Sequence, residues 1–183
     1  MKTNAQNLQV LYEDNHLIAI NKQAGDIVQG DKTGDIPLSE IVKSYLVEKY
    51  HKPGEAYLGV VHRLDRPTTG VVVFAKTSKA LPRLNAAFAT KEEVSKQYWA
   101  LVEKKVIPHQ GTLTHFLVRN TSQNKSYAYP EEKPQSQKAV LAYKVLATLT
   151  HYLLVEITLL TGRHHQIRAQ FGGFLSILPF YIF

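Results

Sequence analysis

The sequence predicts an α+β fold, a mixed and mainly antiparallel sheet with flanking helices. Three observations lead there. Apolar, β-branched runs at 95–103, 112–119, 138–149 and 151–161 follow one another without a helical crossover, and strands joined that way pair antiparallel. Three helical stretches are interspersed instead of alternating with every strand. No Pro-, Gly- or Ser-rich segment reads as a linker, so the 183 residues are expected to form a single domain.

Two short strands open the chain, at 8–12 and 16–21, around the turn Glu13-Asp14-Asn15. A loop from Gly25 to Gly34 follows. The helix expected over 37–50 places Leu38, Ile41, Val42, Tyr45 and Leu46 on one face. Pro37 suits its first helical position, and His51-Lys52-Pro53-Gly54 ends it. The compact run 71–76 predicts a buried strand. Ser78 is placed to cap a helix running to residue 88, which leaves Pro82 in the first turn, where a missing N–H is tolerated. The polar stretch 120–137 is expected to be a loop. Gly162 breaks the last apolar run, and a helix is expected over 163–171.

Composition excludes several chemistries. The chain has no cysteine, so disulfides, thiolate metal sites, Fe–S clusters and cysteine nucleophiles are ruled out. Residues 1–7 are polar and no apolar run reaches the ~20 residues of a membrane span, so a cytoplasmic protein without a membrane partner is expected. The net charge is +7 and uneven: residues 1–100 carry 13 basic and 11 acidic side chains, residues 101–183 nine and four. A basic surface of this kind attracts a polyanion, and nucleic acid is the commonest.

Three polar clusters are candidates for chemistry. The densest is His62-Arg63-Leu64-Asp65-Arg66-Pro67-Thr68-Thr69-Gly70, a turn between the apolar run 57–61 and the strand at 71–76. Asp65 stands between two arginines, which favour its carboxylate form. Such a group is a hydrogen-bond acceptor or a nucleophile, or one half of a structural ion pair. The second cluster, Thr161-Gly162-Arg163-His164-His165-Gln166-Ile167-Arg168, lies at a strand-to-helix junction. Its adjacent histidines lack the three- or four-residue spacing of a helical metal pair, so no metal site is expected. The third is Lys96-Gln97-Tyr98, whose outer two residues share a strand face. Tyr98 fits either a core tyrosine or a platform for a nucleobase.

Taken together, these clusters resemble the RluA-type family of RNA pseudouridine synthases. The family's H-R-L-D-x-x-T-S-G segment stands here at His62–Gly70 with Thr69 for the usual serine, its K-x-Y segment at Lys96–Tyr98, and its T-G-R-x-H-Q-I-R segment at Thr161–Arg168 without a gap. The opening Val10-Leu11-Tyr12-Glu13-Asp14 to Ile20-Asn21-Lys22 is also similar. The resemblance runs from residue 8 to residue 170 and implies the fold of that family, with a central active-site cleft. It implies isomerisation of a uridine in structured RNA, ribosomal or transfer, on a base taken out of its stack. It implies no metal and no cofactor. Asp65 would be the nucleophile, attacking the uracil ring or the ribose C1′. Arg168 would hold it charged, and Tyr98 would stack on the base and take part in proton transfer. Arg63 would fill the space the nucleotide leaves, and Arg163 would meet phosphate or help neutralise the site. His62 and Gln166 stand beside the substrate and are expected mainly to order the backbone. Lys79, Arg83, Lys91, Lys104 and Lys105 are further phosphate contacts under this reading.

The pattern departs from the family after residue 171. Where further strands are usual, this chain reads an uncharged, aromatic tail, expected to reflect a frameshift or early stop that removes part of the domain. No S4-like RNA-binding segment precedes the motifs, and a monomer is expected. The competing expectation is a catalytically impaired remnant that only binds RNA. A His/Asp hydrolase lacks the serine motif it would need.

Overall fold

The computed structural model describes residues 2–90, 94–104, 107–172 and 181–182. Contacts divide the chain after Val94 into two compact units. Every strand pairing in both is antiparallel. With three helices among the described residues, the architecture is the α+β class expected.

The first unit holds β1 (Val10–Glu13), β2 (Leu17–Lys22), α1 (Leu38–Lys49), β3 (Gly59–Val60), β4 (Gly70–Ala75) and α2 (Ala80–Thr90). Its four strands lie in the order β1-β2-β4-β3. Ile18, Ile20, Val72 and Phe74 are fully buried, as are Leu38, Val42 and Leu46, which recur every four residues along α1. At ~1.5–3 kcal/mol for each large apolar side chain removed from water, these residues dominate the unit's stability. Pro37 proves to be the N-cap and not the first helical residue. It offers no side-chain bond, and the helix's first N–H groups are satisfied from the loop instead. Leu38 N donates to Ile27 O (2.7 Å) and Ser39 N to Val28 O (3.2 Å). The second helix is capped one residue earlier than expected: Thr77 Oγ1, not Ser78, accepts from Ala80 N (3.1 Å). Pro82 falls in its first turn, as the sequence requires.

Among the described residues, the second unit holds a six-stranded sheet and one helix. It comprises β5 (Gln97–Glu103), β6 (Gln110–Asn120), β7 (Lys125–Tyr129), β8 (Gln137–Thr148), β9 (Tyr152–Leu159), α3 (Gln166–Gly172) and β10 (Tyr181–Ile182). The strand order is β10-β5-β9-β8-β6-β7. One face of β5, β8 and β9 supplies Ala100, Val102, Leu141, Tyr143, Val155 and Ile157 to a single buried cluster, which Ile167 and Phe171 of α3 complete. Phe171 meets Tyr143 edge to face, with ring centroids 5.8 Å apart.

Two expectations about elements are corrected. The polar stretch 120–137 contains β7, because Asn124 at φ +48 closes a tight turn and lets the chain return along β6. The last helix starts three residues later than expected, since His165 takes a left-handed conformation, φ +51, just before it. The tail residues 173–180 lie outside the described residues, as do Lys91 and Lys105. Tyr181 and Ile182 pair with Trp99 and Tyr98 on β5.

Candidate active site

The turn carrying Asp65 joins β3 to β4. Its shape is set by hydrogen bonds from elsewhere in the first unit. Thr68 N donates to Asp65 O (2.9 Å), closing the turn, and Gly25 N donates to Arg66 O (2.8 Å). Gly70, buried at φ +128, lets the chain enter β4 in a conformation that side chains rarely adopt. Beneath the turn lies Lys22, the last residue of β2, with no exposed surface. Its Nζ donates to Thr68 O (2.7 Å), Arg66 O (3.1 Å) and Gln23 O (3.1 Å). An ammonium has three protons, so these carbonyls satisfy it completely. Burial pushes the Lys22 ammonium down to about 8, against the opposing pull of the Asp26 and Asp65 carboxylates.

The side chains of the turn divide by exposure. Asp65 is half-buried, while Arg63 and Arg66 are exposed. Arg66 is paired with Asp35, which also accepts from Lys2 Nζ (3.0 Å). These two bonds hold the Asp35 carboxyl below its usual range. His62 stacks on Phe88 with centroids 4.7 Å apart, and its Nε2 accepts from Val73 N (3.0 Å). An accepting Nε2 carries no proton, so His62 orders the backbone of β4.

In the second unit, Tyr98 lies on the core face of β5, partly buried against the apolar cluster. Trp99 points the other way and donates to Glu156 Oε2 (3.4 Å). The β9–α3 junction is held by an amide ladder. Gln166, 3% exposed, accepts at Oε1 from Arg163 N (3.0 Å) and Thr161 Oγ1 (2.7 Å). Its Nε2 donates to Val140 O (3.0 Å) and Gln170 Oε1 (2.9 Å). Gln170 Nε2 in turn reaches Leu113 O (3.1 Å) on β6. The ladder fastens the junction to two strands and presents Arg163 and Arg168, both exposed, from either side of Gln166. Arg163 Nε donates to Lys138 O (3.1 Å), which fixes the root of its guanidinium. His164 Nδ1 shares a hydrogen bond with Ser126 Oγ (2.9 Å) and its ring stacks on His165 at 3.7 Å.

The expected residues therefore fall into three groups. His62, Arg63 and Asp65 share one turn; Arg163, Gln166 and Arg168 share one junction; Tyr98 stands on a strand of the same sheet as that junction. Lys79, Arg83 and Lys104 lie in described segments outside all three groups. Among the described residues no three His, Cys, Asp or Glu side chains gather to hold a metal ion. Sequence reading missed the task of Lys22, which it placed only within a similar opening segment. A lysine closing a strand that is apolar over its first four residues is the signal that pointed to it. Gln170 carried no signal of its own.

The family described as RNA pseudouridylate synthase matches residues 16–172. An uncharacterized RNA pseudouridine synthase of Mycoplasma capricolum is 33% identical over 96% of this chain and 55% of its own length. The ribosomal large subunit pseudouridine synthase C of Vibrio vulnificus is 31% identical over 90% of this chain and 49% of its own. The chain thus spans about half the length of the curated relatives it matches. Among solved structures, human RNA pseudouridylate synthase domain containing 4 superposes with a TM-score of 0.78 at 27% identity, covering 95% of this chain and 68% of that one. Human RNA pseudouridylate synthase domain containing 1 shares the fold, with a TM-score of 0.71 at 20% identity over 93% of this chain and 66% of that one.

Proposed function

Because this chain belongs to the RNA pseudouridylate synthase family, we propose that it isomerises a uridine of structured RNA, ribosomal or transfer, to pseudouridine. In that reaction the bond from N1 of uracil to the ribose C1′ breaks. A bond from C5 to C1′ forms, and the proton from C5 is made up at N1. Nothing else is consumed. Asp65 is the nucleophile in this reading, and the resemblance leaves its target, ring or sugar, open. The observation that carries the proposal is the clamped turn: Lys22 and Gly25 hold the backbone that directly follows a half-buried carboxylate. A nucleophile fixed before the substrate arrives loses little entropy at the reacting centre.

The remaining roles follow the chemistry of each side chain. The target base must leave its stack, and exposed Arg63 suits the space it vacates. Tyr98 supplies an aromatic face and a hydroxyl, fitting a base that needs both a platform and a proton path. Arg163 meets phosphate or helps neutralise the site, and Arg168 takes the orienting role that the resemblance implies.

The test uses RNA tritiated at C5 of uridine, from which isomerisation releases label. The parent chain is expected to release it, and Asp65→Ala to abolish release. RNA affinity should change by no more than about 1 kcal/mol, since binding rests on phosphate contacts. Turnover that survives Asp65→Ala refutes the assignment. Binding without turnover in the parent supports an impaired remnant instead.

A further inference from the structure

We propose that the outer face of the β6–β7 hairpin is a stacking platform for single-stranded RNA. The proposal rests on the reading of this chain as an RNA-modifying enzyme and extends it to a surface that reading leaves unused. The hairpin forms one margin of the six-stranded sheet, with β7 as its last strand. Leu117 is 4% exposed and marks the buried face. Successive residues alternate between faces, so Phe116 and Val118 point outward, together with Tyr129 and Tyr127 directly opposite them. Lys138 stands opposite Phe116 from the other side, giving one row Lys138, Phe116, Tyr129 across three strands. Lys125 ends the same face beside the turn.

This face is open. Tyr127 is 43% and Tyr129 36% exposed, and both lysines are exposed. Two tyrosines side by side on an uncovered sheet are a surface that loses by staying wet and gains by being covered. The Tyr127 hydroxyl donates to Gln123 Oε1 (2.6 Å), so the far end of that ring is tied to the hairpin's own turn.

Spacing and charge select the occupant. Residues two apart on a strand stand ~7 Å from each other. Stacked bases in a helix rise about 3.4 Å. The two rings are therefore too far apart for neighbouring bases of a duplex and match a strand whose bases have been drawn apart. Each ring offers a face on which any base stacks, and the lysines at both ends of the patch suit the phosphates between. The nearest carboxylates in sequence, Glu131 and Glu132, lie in the loop after β7 and not on the strands that carry the rings. An acidic peptide would satisfy the lysines and leave the rings without flat partners, so single-stranded nucleic acid fits better.

The experiment is fluorescence anisotropy of labelled oligouridylate and of an RNA duplex of equal length, with thermal melts to confirm folding. Tyr127→Ala and Tyr129→Ala should each weaken single-strand binding about tenfold and leave duplex binding nearly unchanged. The phenylalanine variants at both positions should bind like the parent. Lys125→Ala should reduce the salt dependence by about one phosphate contact. The proposal is overturned if the alanine variants bind as the parent does, if the phenylalanine variants lose as much as alanine, or if the parent binds duplex and single strand alike. Tritium release by these variants separates this idea from the enzymatic one. A parent that isomerises uridine while Tyr127→Ala and Tyr129→Ala bind normally refutes the platform alone. Loss of single-strand binding in a chain without turnover refutes the enzyme alone.

Discussion

Lys22 is the residue on which the Asp65 turn depends. Its ammonium sits in the interior because three carbonyls and two nearby carboxylates offset the cost of leaving water. The offset is incomplete, and burial leaves its pKa at about 8. The unfolded chain therefore holds this proton more tightly than the folded one between pH 8 and the ordinary lysine value of 10.5. Raising pH through that window favours the folded state, by up to about 3 kcal/mol. Chemical denaturation at several pH values should show stability rising there in the parent and staying flat in Lys22→Met. At pH 7 the methionine variant should be less stable by about 2 kcal/mol, because it leaves carbonyls of the turn unpaired. Parallel pH curves for the two proteins would show that Lys22 is not the group responsible. The clamp joins residues 44 and 46 positions apart. The sequence displays the lysine but not its partners.

At the level of elements, one carboxylate ties four segments together. Glu13, at the end of β1, accepts from Lys49 and Tyr45 on α1, from Tyr50 just past it, and from Lys76 after β4. Burial alone would raise its pKa, but the bonds from Lys49, Lys76 and Tyr50 outweigh it and bring the value down to about 2. A depressed carboxylate contributes stability above its unfolded value near 4.5 and loses it as pH falls toward 2. With allowance for solvent screening at the rim of the network, this amounts to about 2 kcal/mol. Acid titration followed by circular dichroism should show the parent losing stability below pH 4.5, and Glu13→Gln should remove most of that dependence. An unchanged acid limb in the variant would place the titrating group elsewhere. Elements with a buried apolar face were legible, as α1, β4, β5 and β9 were, because burial imposes a period on the sequence. β7 was not. Its Lys125, Tyr127 and Tyr129 point to solvent and its Ser126 and Ala128 inward, so polarity reports no core, and pairing with β6 alone makes it a strand.

For the whole molecule, charge sets the response to solution conditions. The basic excess is concentrated in residues 101–183, which include most of the second unit, with Lys125 on β7 and Lys138 on β8. Under the proposed function, RNA is held through its phosphates and counterions are released, so affinity should fall more than about tenfold between 50 and 200 mM salt. Filter binding across that range checks it, and a flat profile would mean that phosphates contribute little. The chain's membership of its family was legible from three ordered motifs, because chemistry demands particular side chains at fixed separations along a turn, a strand and a junction. The same holds for the α+β class, since runs of strands without crossovers have few ways to pair. The sequence alone therefore determined which residues are candidates and which kinds of element carry them. The tertiary structure decided what holds those residues still: the lysine under the Asp65 turn, the glutamine ladder behind Arg163 and Arg168, the carboxylate shared by four segments, and the outward face of β7. These depend on hydrogen bonds and register between positions far apart in the chain, and a one-dimensional pattern of polarity carries no record of them.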